Sequence, residues 1–183
     1  MEIRATPIPD VFEIYPKITK DKRGYFLESY REEFFIKHGL ITRWVQDNQS
    51  FSQAGIVRGL HFQKGVHAQA KLVRVISGKV LDVCVDLRKG SPTFGNYHAV
   101  VLDEDKQNML YVPKGFAHGF AVWEDAVFIY KCSEPYNKES EGGIIWNDME
   151  LSIDWGVGNP ILSEKDQSWP SLESFQEESK GGL

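Results

Sequence analysis

The chain has few of the features that mark a disulfide-stabilised, zinc-binding or membrane-spanning protein. Its 183 residues include only two cysteines, Cys84 and Cys132, with no CxxC pair, which excludes a disulfide framework and a zinc finger. No apolar run approaches the ~18–20 residues of a membrane helix, and residues 1–10 lack the apolar stretch of a signal peptide. We therefore expect a reduced, cytoplasmic protein with a single domain over residues 1–183, in which residues from about 171 onwards form a loosely ordered tail.

A clustered basic surface is also lacking. The formal net charge is −5, and it is uneven: residues 1–90 carry 15 Lys and Arg against 10 Asp and Glu, whereas residues 91–183 carry 6 against 16. Nucleic-acid binding requires clustered cations to neutralise phosphates, so this balance argues against a nucleic-acid partner. The basic first half could hold a small anion, or the asymmetry could reflect only solvated faces.

Alternation of apolar and polar residues dominates the chain and predicts strands. In Lys79–Leu87, for example, apolar residues alternate with Asp82, Cys84 and Asp86. Turns are predicted at Ser77–Lys79 and Trp123–Asp125, among others. The other predicted strands are Gly24–Tyr30, Thr42–Asn48, Val57–Phe62, Lys71–Ser77, Asn96–Leu102, Asn108–Val112, Gly119–Trp123 and Ala126–Cys132. With only Arg31–His38 typical of a helix, this spacing predicts an all-β sandwich or barrel of antiparallel strands.

Two cationic or titratable residues interrupt these strands. Lys71 alternates in phase with Val73 and Val75, so its side chain should point into an apolar interior, where a lysine is rare without a partner or a task. His61 lies in the preceding predicted strand. The pattern leaves two interpretations open: a functional pair, or a hydrogen-bonded core histidine and a lysine that protects a sheet edge.

A third motif is Pro113–Phe120, which carries His118. It is similar to the P-x-G-x-x-H segment that supplies a metal-binding histidine in the cupin superfamily of small barrels. The other cupin metal segment needs an H-x-H pair and a following Glu, but the chain has His61-Phe62-Gln63 and then Lys71. Because a cation replaces a carboxylate ligand, we expect no bound metal.

Two further residues have an ambiguous pattern. Tyr130 shares a strand face with Phe128 and Cys132, which suits either a core tyrosine or a proton donor. Asp166 follows Ser163 by three residues, as at a helical N-cap. It could lie at the surface or orient a histidine, as the third member of a catalytic triad does.

Taken together, these segments resemble the dTDP-4-dehydrorhamnose 3,5-epimerase family over roughly residues 1–170. The matching segments are Lys22–Glu28, Val45–Asn48, Val57–Gln63, Gln69–Arg74, Ser91–Gly95, Pro113–Phe120, Tyr130–Lys131, Gly142–Asp148 and Leu162–Asp166. The resemblance implies a metal-free, cupin-type jelly-roll barrel with one or two short helices. It also implies no cofactor, and a homodimer in which N-terminal strands cross to the partner.

The resemblance further implies a reaction. Members of the family invert carbons 3 and 5 of dTDP-4-dehydro-6-deoxy-D-glucose, giving dTDP-4-dehydro-L-rhamnose in dTDP-rhamnose biosynthesis. The ketone at carbon 4 acidifies both neighbouring C–H groups, so a base can leave an enolate and an acid on the opposite face can return a proton. By resemblance, His61 is the base, Asp166 orients it and Tyr130 is the acid. Lys71 would stabilise the enolate.

Ten further positions match substrate-binding positions of the family. They are the cations Arg23, Arg58 and Lys165 for the diphosphate, the polar residues Glu28, Gln46 and Asn48, the aromatic residues Phe26 and Tyr136 for the base, and also His118 and Glu141. Arginine suits a diphosphate because its planar guanidinium contacts two oxygens at once.

Three other functions remain open at this point. A related epimerase could invert a single centre of a similar nucleotide 4-ketosugar with the same side chains. A non-catalytic nucleotide-sugar-binding cupin would not need His61, Lys71, Tyr130 and Asp166 together. A metal-dependent cupin oxygenase would hold a stoichiometric transition metal.

Overall fold

The computed structural model describes all 183 residues and contains 11 strands, two short α-helices and two 3-10 helices, Gly65–His67 and Lys138–Ser140. The strands are β1 (Glu2–Ala5), β2 (Phe12–Tyr15), β3 (Ile18–Asp21), β4 (Gly24–Leu27), β5 (Gln46–Ser52), β6 (Val57–Gln63), β7 (Lys71–Asp86), β8 (Tyr97–Asp103), β9 (Met109–Val112), β10 (Phe116–Cys132) and β11 (Glu141–Gly143). The helices are α1 (Glu32–Lys37) and α2 (Leu172–Glu178). Neither helix is long and apolar enough to span a membrane.

Two long strands, β7 and β10, organise the molecule. They pair with each other antiparallel, and each exchanges its outer neighbour half-way along its length. The first part of β7 pairs with β9 and the second with β8. The first part of β10 pairs with β6 and the second with β5. Two antiparallel layers thus face each other, as the predicted jelly roll requires, and that prediction is confirmed.

The predicted turns at Ser77–Lys79 and Trp123–Asp125 are wrong, because β7 and β10 run through them as bends. The pairing of these strands shifts register three times between Val122 and Phe128, as expected for bulges. Gly78 has a positive φ of 81°, and a Cβ there would lie 2.1 Å from the carbonyl oxygen of Asp125. Gly78 and the polar residues at 123–125 therefore mark the bends, not the ends, of the strands.

The other predicted helix and strand boundaries agree with the structure to different degrees. Helix α1 lies within the predicted Arg31–His38, but the predicted strand Thr42–Asn48 is displaced to Gln46–Ser52. Strands β1 to β3 and β11 were not predicted. The first three have only four residues each and are separated by prolines, and β11 has only three residues. Residues 171–183 differ from the expected loose tail. Ser171 caps α2 by accepting a hydrogen bond from the Ser174 N–H, and Leu172 and Phe175 are buried.

The core between the two layers closes one end of the barrel and leaves the other open. It includes Val73, Val75 and Val80 from β7 with Phe120 and Phe128 from β10. A second apolar cluster lies on the outer face of β6–β7–β10, beneath residues 144–175 and α2. A third lies beneath α1. Polar side chains at the open end of the first cluster line a large cavity.

Candidate active site

The cavity at the open end has a volume of about 870 Å³, large enough for a nucleotide sugar. Its walls come from β5, β6, β7, β10 and the segment 161–166. The predicted site residues that line it are Gln46, Asn48, Arg58, His61, Lys71, His118, Tyr130, Tyr136, Glu141, Lys165 and Asp166. The alternation in β7 and β10 explains why Lys71 and Tyr130 both point inward.

His61 and Asp166 form a close pair although 105 residues separate them. A parallel bridge between Ile56 and Ile161 brings the late segment beside the start of β6. The Asp166 N–H then donates to Ser163 Oγ at 3.1 Å, which turns the carboxylate inward. His61 Nε2 lies 2.5 Å from Asp166 Oδ1, and Asp166 is almost completely buried. The surface interpretation of Asp166 is therefore wrong.

The pairing assigns the two nitrogens of the His61 ring. Burial raises the pKa of Asp166, but hydrogen bonds from His61 and Ser163 outweigh it, and the net pKa lies below the ordinary value. Asp166 is thus ionised near neutral pH and can only accept. His61 Nε2 must carry the proton, which leaves the lone pair of Nδ1 for a base.

A second histidine–aspartate pair involves Asp82, which the sequence interpretation missed. His118 is the register partner of His61, and its Nε2 lies 3.0 and 2.9 Å from the two oxygens of Asp82. Asp82 is fully buried; burial raises its pKa, and the nearby His118 opposes the rise. A carboxylate within the apolar run of β7 was the available signal, since a buried charge requires a partner.

Lys71 is a cation without an anionic partner. It forms none of the ion pairs of the molecule, and its register partner in β10 is the thiol Cys132. Its Nζ lies 6.0 Å from the centre of the Tyr130 ring. Burial lowers the pKa of Lys71 and raises the pKa of Tyr130. The phenol is therefore protonated at neutral pH, as a proton donor must be.

The mouth of the cavity carries a polar network. Lys165 Nζ lies 2.7 Å from Glu141 Oε1, and the Tyr136 hydroxyl donates to Glu141 Oε2 at 3.0 Å. The Tyr136 N–H donates to Gln46 Oε1 at 2.9 Å. Burial raises the pKa of Glu141, but the hydrogen bonds from Lys165 and Tyr136 lower it by more. The net pKa of Glu141 is therefore below its ordinary value. This rim offers a cation, an aromatic ring and amides to a ligand.

Three predicted ligand residues do not reach this cavity. Arg23, Phe26 and Glu28 lie on or just after the β3–β4 hairpin, which forms a separate two-stranded sheet. The Arg23 guanidinium pairs with Asp21, and Glu28 pairs with Arg31. Phe26 is 74% exposed. Within one chain, therefore, the hairpin takes no part in the site.

Residues 5–174 match a protein-family model described as dTDP-4-dehydrorhamnose 3,5-epimerase. The chain belongs to this family. A relative of that name from Shigella flexneri is 47% identical over 168 residues, which cover 91% of this chain and 93% of the relative. A crystal structure of the Elizabethkingia anophelis enzyme of that name is 50% identical, with a TM-score of 0.91, and the match covers 95% of this chain and 97% of that one.

Two further structures of this group differ in their described activities. A Legionella pneumophila 3,5-epimerase in complex with dTDP-4-keto-L-rhamnose is 44% identical with a TM-score of 0.92, covering 97% of this chain and 95% of that one. A 3'-monoepimerase from Streptomyces bikiniensis in complex with dTDP-quinovose is 31% identical with a TM-score of 0.89, covering 96% and 90%. The same fold is therefore found with one and with two inverted centres.

The arrangement is suited to proton transfer at carbon. A histidine with a free nitrogen, a protonated phenol and an unpaired ammonium line one water-accessible cavity. These are the groups needed to remove a proton beside a ketone, to hold the resulting oxyanion and to return a proton. No three His, Cys, Asp or Glu side chains are grouped to hold a metal ion.

Proposed function

We propose that this chain inverts carbons 3 and 5 of dTDP-4-dehydro-6-deoxy-D-glucose, giving dTDP-4-dehydro-L-rhamnose. The observation that carries the proposal is the convergence of His61, Lys71 and Tyr130 on one cavity in a member of this epimerase family. The Legionella relative, which is described with the corresponding ketosugar bound, supports the substrate class.

In the proposed reaction, His61 Nδ1 removes the proton from a carbon next to the ketone. The C–H electron pair moves into the ring and the ketone oxygen becomes an enolate oxygen, which the Lys71 ammonium stabilises. The Tyr130 hydroxyl then donates its proton to the same carbon from the opposite face, and the centre is inverted. The imidazolium loses a proton to water and the phenolate regains one, so no net proton is consumed. The same cycle at the second carbon completes the reaction.

We propose that the cavity mouth binds the nucleotide. Lys165 and Arg58 are the cations for the diphosphate, and Tyr136 is the aromatic ring for the thymine. Lys165 already pairs with Glu141, so the diphosphate would have to replace or share that contact. Arg58 donates only to Ser52 Oγ at 3.0 Å and is otherwise free for an anion. Gln46, Asn48 and His118 would contact the nucleotide or the sugar.

We propose a homodimer in which the β3–β4 hairpin completes the partner's site. Apolar rings on the hairpin are exposed, with Tyr25 at 56% and Phe26 at 74%, and Phe51 of β5 is 61% exposed. Exposed aromatic rings on a hairpin that stands apart from the main sheet are suited to burial against a second subunit. Arg23 and Phe26 would then contact the diphosphate and base of the ligand in the other subunit, and Glu28 would add a polar contact.

The dimer proposal is tested by mixing two inactive variants, Phe26→Ala and His61→Ala. If the hairpin serves the partner, an equal mixture of exchanged subunits regains about a quarter of the wild-type activity, because half the dimers are mixed and each has one intact site. If the hairpin serves its own subunit, the mixture stays inactive. Sedimentation must first show that each variant has the wild-type mass.

The number of inverted centres is tested in heavy water. Incubation with dTDP-4-dehydro-6-deoxyglucose should place deuterium at carbons 3 and 5, as counted by NMR. A single labelled carbon would instead establish the second candidate, a mono-epimerase. The similarity to the 3'-monoepimerase from Streptomyces bikiniensis favours this as the alternative. No labelled carbon, with dTDP still bound, would establish a non-catalytic binding protein.

We also infer that the protein works in a reducing compartment such as the cytoplasm. Both Cys84 and Cys132 are buried free thiols.

A further inference from the structure

Trp169 lies behind the proposed base, on the side away from the cavity. It follows Asp166 by three residues and is not among the residues that line the cavity. Its ring centre is 6.1 Å from that of His61, with an angle of 68° between the planes. This edge-to-face contact places an aromatic wall against the imidazole.

The position of the Trp169 ring is fixed by a glycine. Gly143 of β11 is the register partner of His61, and a Cβ on Gly143 would lie 2.5–2.6 Å from three atoms of the indole. The Ile145 N–H donates to the Pro170 carbonyl at 2.8 Å, which fastens the chain just after the ring. Only a residue without a side chain at 143 leaves room for the tryptophan.

The indole acts here through its shape. Its N–H is buried and has no hydrogen-bond partner. The Lys165 ammonium lies 6.0 Å from the centre of the Trp169 ring. Trp169 therefore lies beside both His61 and the segment that carries Asp166 and Lys165. A hydrogen-bonding role would require a partner for the N–H, and a ligand-binding role would require a cavity surface.

We propose that Trp169, seated on Gly143, is a positioning residue that fixes the His61 ring against Asp166. The His61–Asp166 hydrogen bond sets the tautomer only while the imidazole stays in line with the carboxylate. The bond alone leaves the ring free to tilt out of that line. The indole edge removes this freedom on the side away from the substrate, so that Nδ1 points into the cavity. For its catalytic consequence the inference rests on the proposed function.

The experiment compares Trp169→Leu with Trp169→Phe, and uses Trp155→Phe as the control. Trp155 is a buried tryptophan whose N–H donates to the Trp146 carbonyl at 2.8 Å, so its replacement perturbs the core without touching His61. Two quantities are measured on each protein. They are the rate of deuterium incorporation into the ketosugar at saturating substrate and the His61 tautomer from long-range 1H–15N correlations.

We expect Trp169→Leu to lower the rate by roughly 10- to 100-fold, the penalty typical of a displacement near 1 Å. Its affinity for dTDP should stay at the wild-type value, and its His61 spectrum should change from one tautomer to a mixture. Trp169→Phe should restore the single tautomer and most of the rate, because the unpartnered N–H is dispensable. If Trp169→Leu does not fold, Gly143→Ala replaces it in the experiment. Its new Cβ displaces the indole, so we expect the same lower rate and the same mixture of tautomers.

A wild-type rate and a single tautomer in Trp169→Leu would overturn the proposal. So would equal losses in Trp169→Leu and Trp155→Phe, because that result indicates a general loss of stability. If the wild-type protein incorporates no deuterium but Trp169→Leu alone mixes the tautomers, the positioning role stands and the proposed function fails.

Discussion

Replacing Lys71 with methionine should make the protein more stable and much less active. The side chain is enclosed by the cavity walls and forms no ion pair, so its charge is poorly compensated in the absence of a ligand. Methionine has a similar length and no charge. In turnover, however, the ammonium is the group that faces the developing enolate oxygen. The two effects therefore have opposite signs at one position.

The size of each effect follows from the structure. A buried polar group without a full set of partners costs roughly 1–3 kcal/mol, so Lys71→Met should gain about this much. For a domain of this length, this gain corresponds to a rise of roughly 2–12 °C in the unfolding midpoint. Removal of the group that stabilises the oxyanion should lower kcat by roughly 10²–10³-fold.

The gain should also depend on pH in a defined direction. Burial lowers the pKa of Lys71 from its ordinary value of 10.5. The unfolded chain therefore binds more protons between the folded pKa and 10.5, and the stability of the wild type rises with pH across that window. The advantage of methionine is greatest below the folded pKa and disappears above 10.5.

The assay is urea unfolding of the wild type and Lys71→Met at neutral pH and near pH 10. Lys131→Met is the matched control, because Lys131 lies on the same β-ladder but pairs at the surface with Asp47 and should change stability little. A less stable Lys71→Met protein, or a gain that is the same at both pH values, would refute this interpretation of Lys71.

Two other substitutions have defined outcomes. In Asp166→Asn, the new amide can donate to the imidazole and so move the ring proton to Nδ1. The charge-assisted hydrogen bond that is lost is worth roughly 1.5–3 kcal/mol, so deuterium incorporation should slow about 10- to 150-fold. A rate within twofold of wild type would contradict the role of Asp166. Gly119→Ala should lose roughly 1–3 kcal/mol of stability through overpacking, since its Cβ would lie 2.6 Å from the Arg58 carbonyl oxygen. Gly158→Ala, with no atom within 4 Å of the new Cβ, should unfold at the wild-type midpoint, and equal midpoints for both variants would contradict the packing argument.

The period of two in the strands was sufficient to place some site residues. Lys71 lies in phase with Val73 and Val75, and Tyr130 with Phe128, so both point into the barrel as predicted. The predicted turns failed for a related reason. A glycine such as Gly78 is compatible with a turn that ends a strand and with a bend inside one. Only the continued pairing of β7 with β10 on both sides of it shows that it is a bend.

Contacts between distant segments were beyond local patterns. The pair of His61 with Asp166 was available only through the family resemblance, because local spacing favours a surface cap for Asp166. Asp82 carried a signal as a carboxylate within an apolar run, but nothing near it in sequence indicates that its partner, His118, lies opposite. For Phe26 the predicted contact with the ligand is not formed within one chain, because the β3–β4 hairpin that carries it lies outside the cavity.

The most direct test of the account is single-turnover incubation of Tyr130→Phe in heavy water with the ketosugar. If His61 and Tyr130 act on opposite faces of the ring, the variant should still exchange the proton that His61 removes, but return deuterium on the same face. The account predicts labelled substrate of unchanged configuration and little inverted product. Inversion at the wild-type rate, or loss of exchange together with inversion, would contradict it.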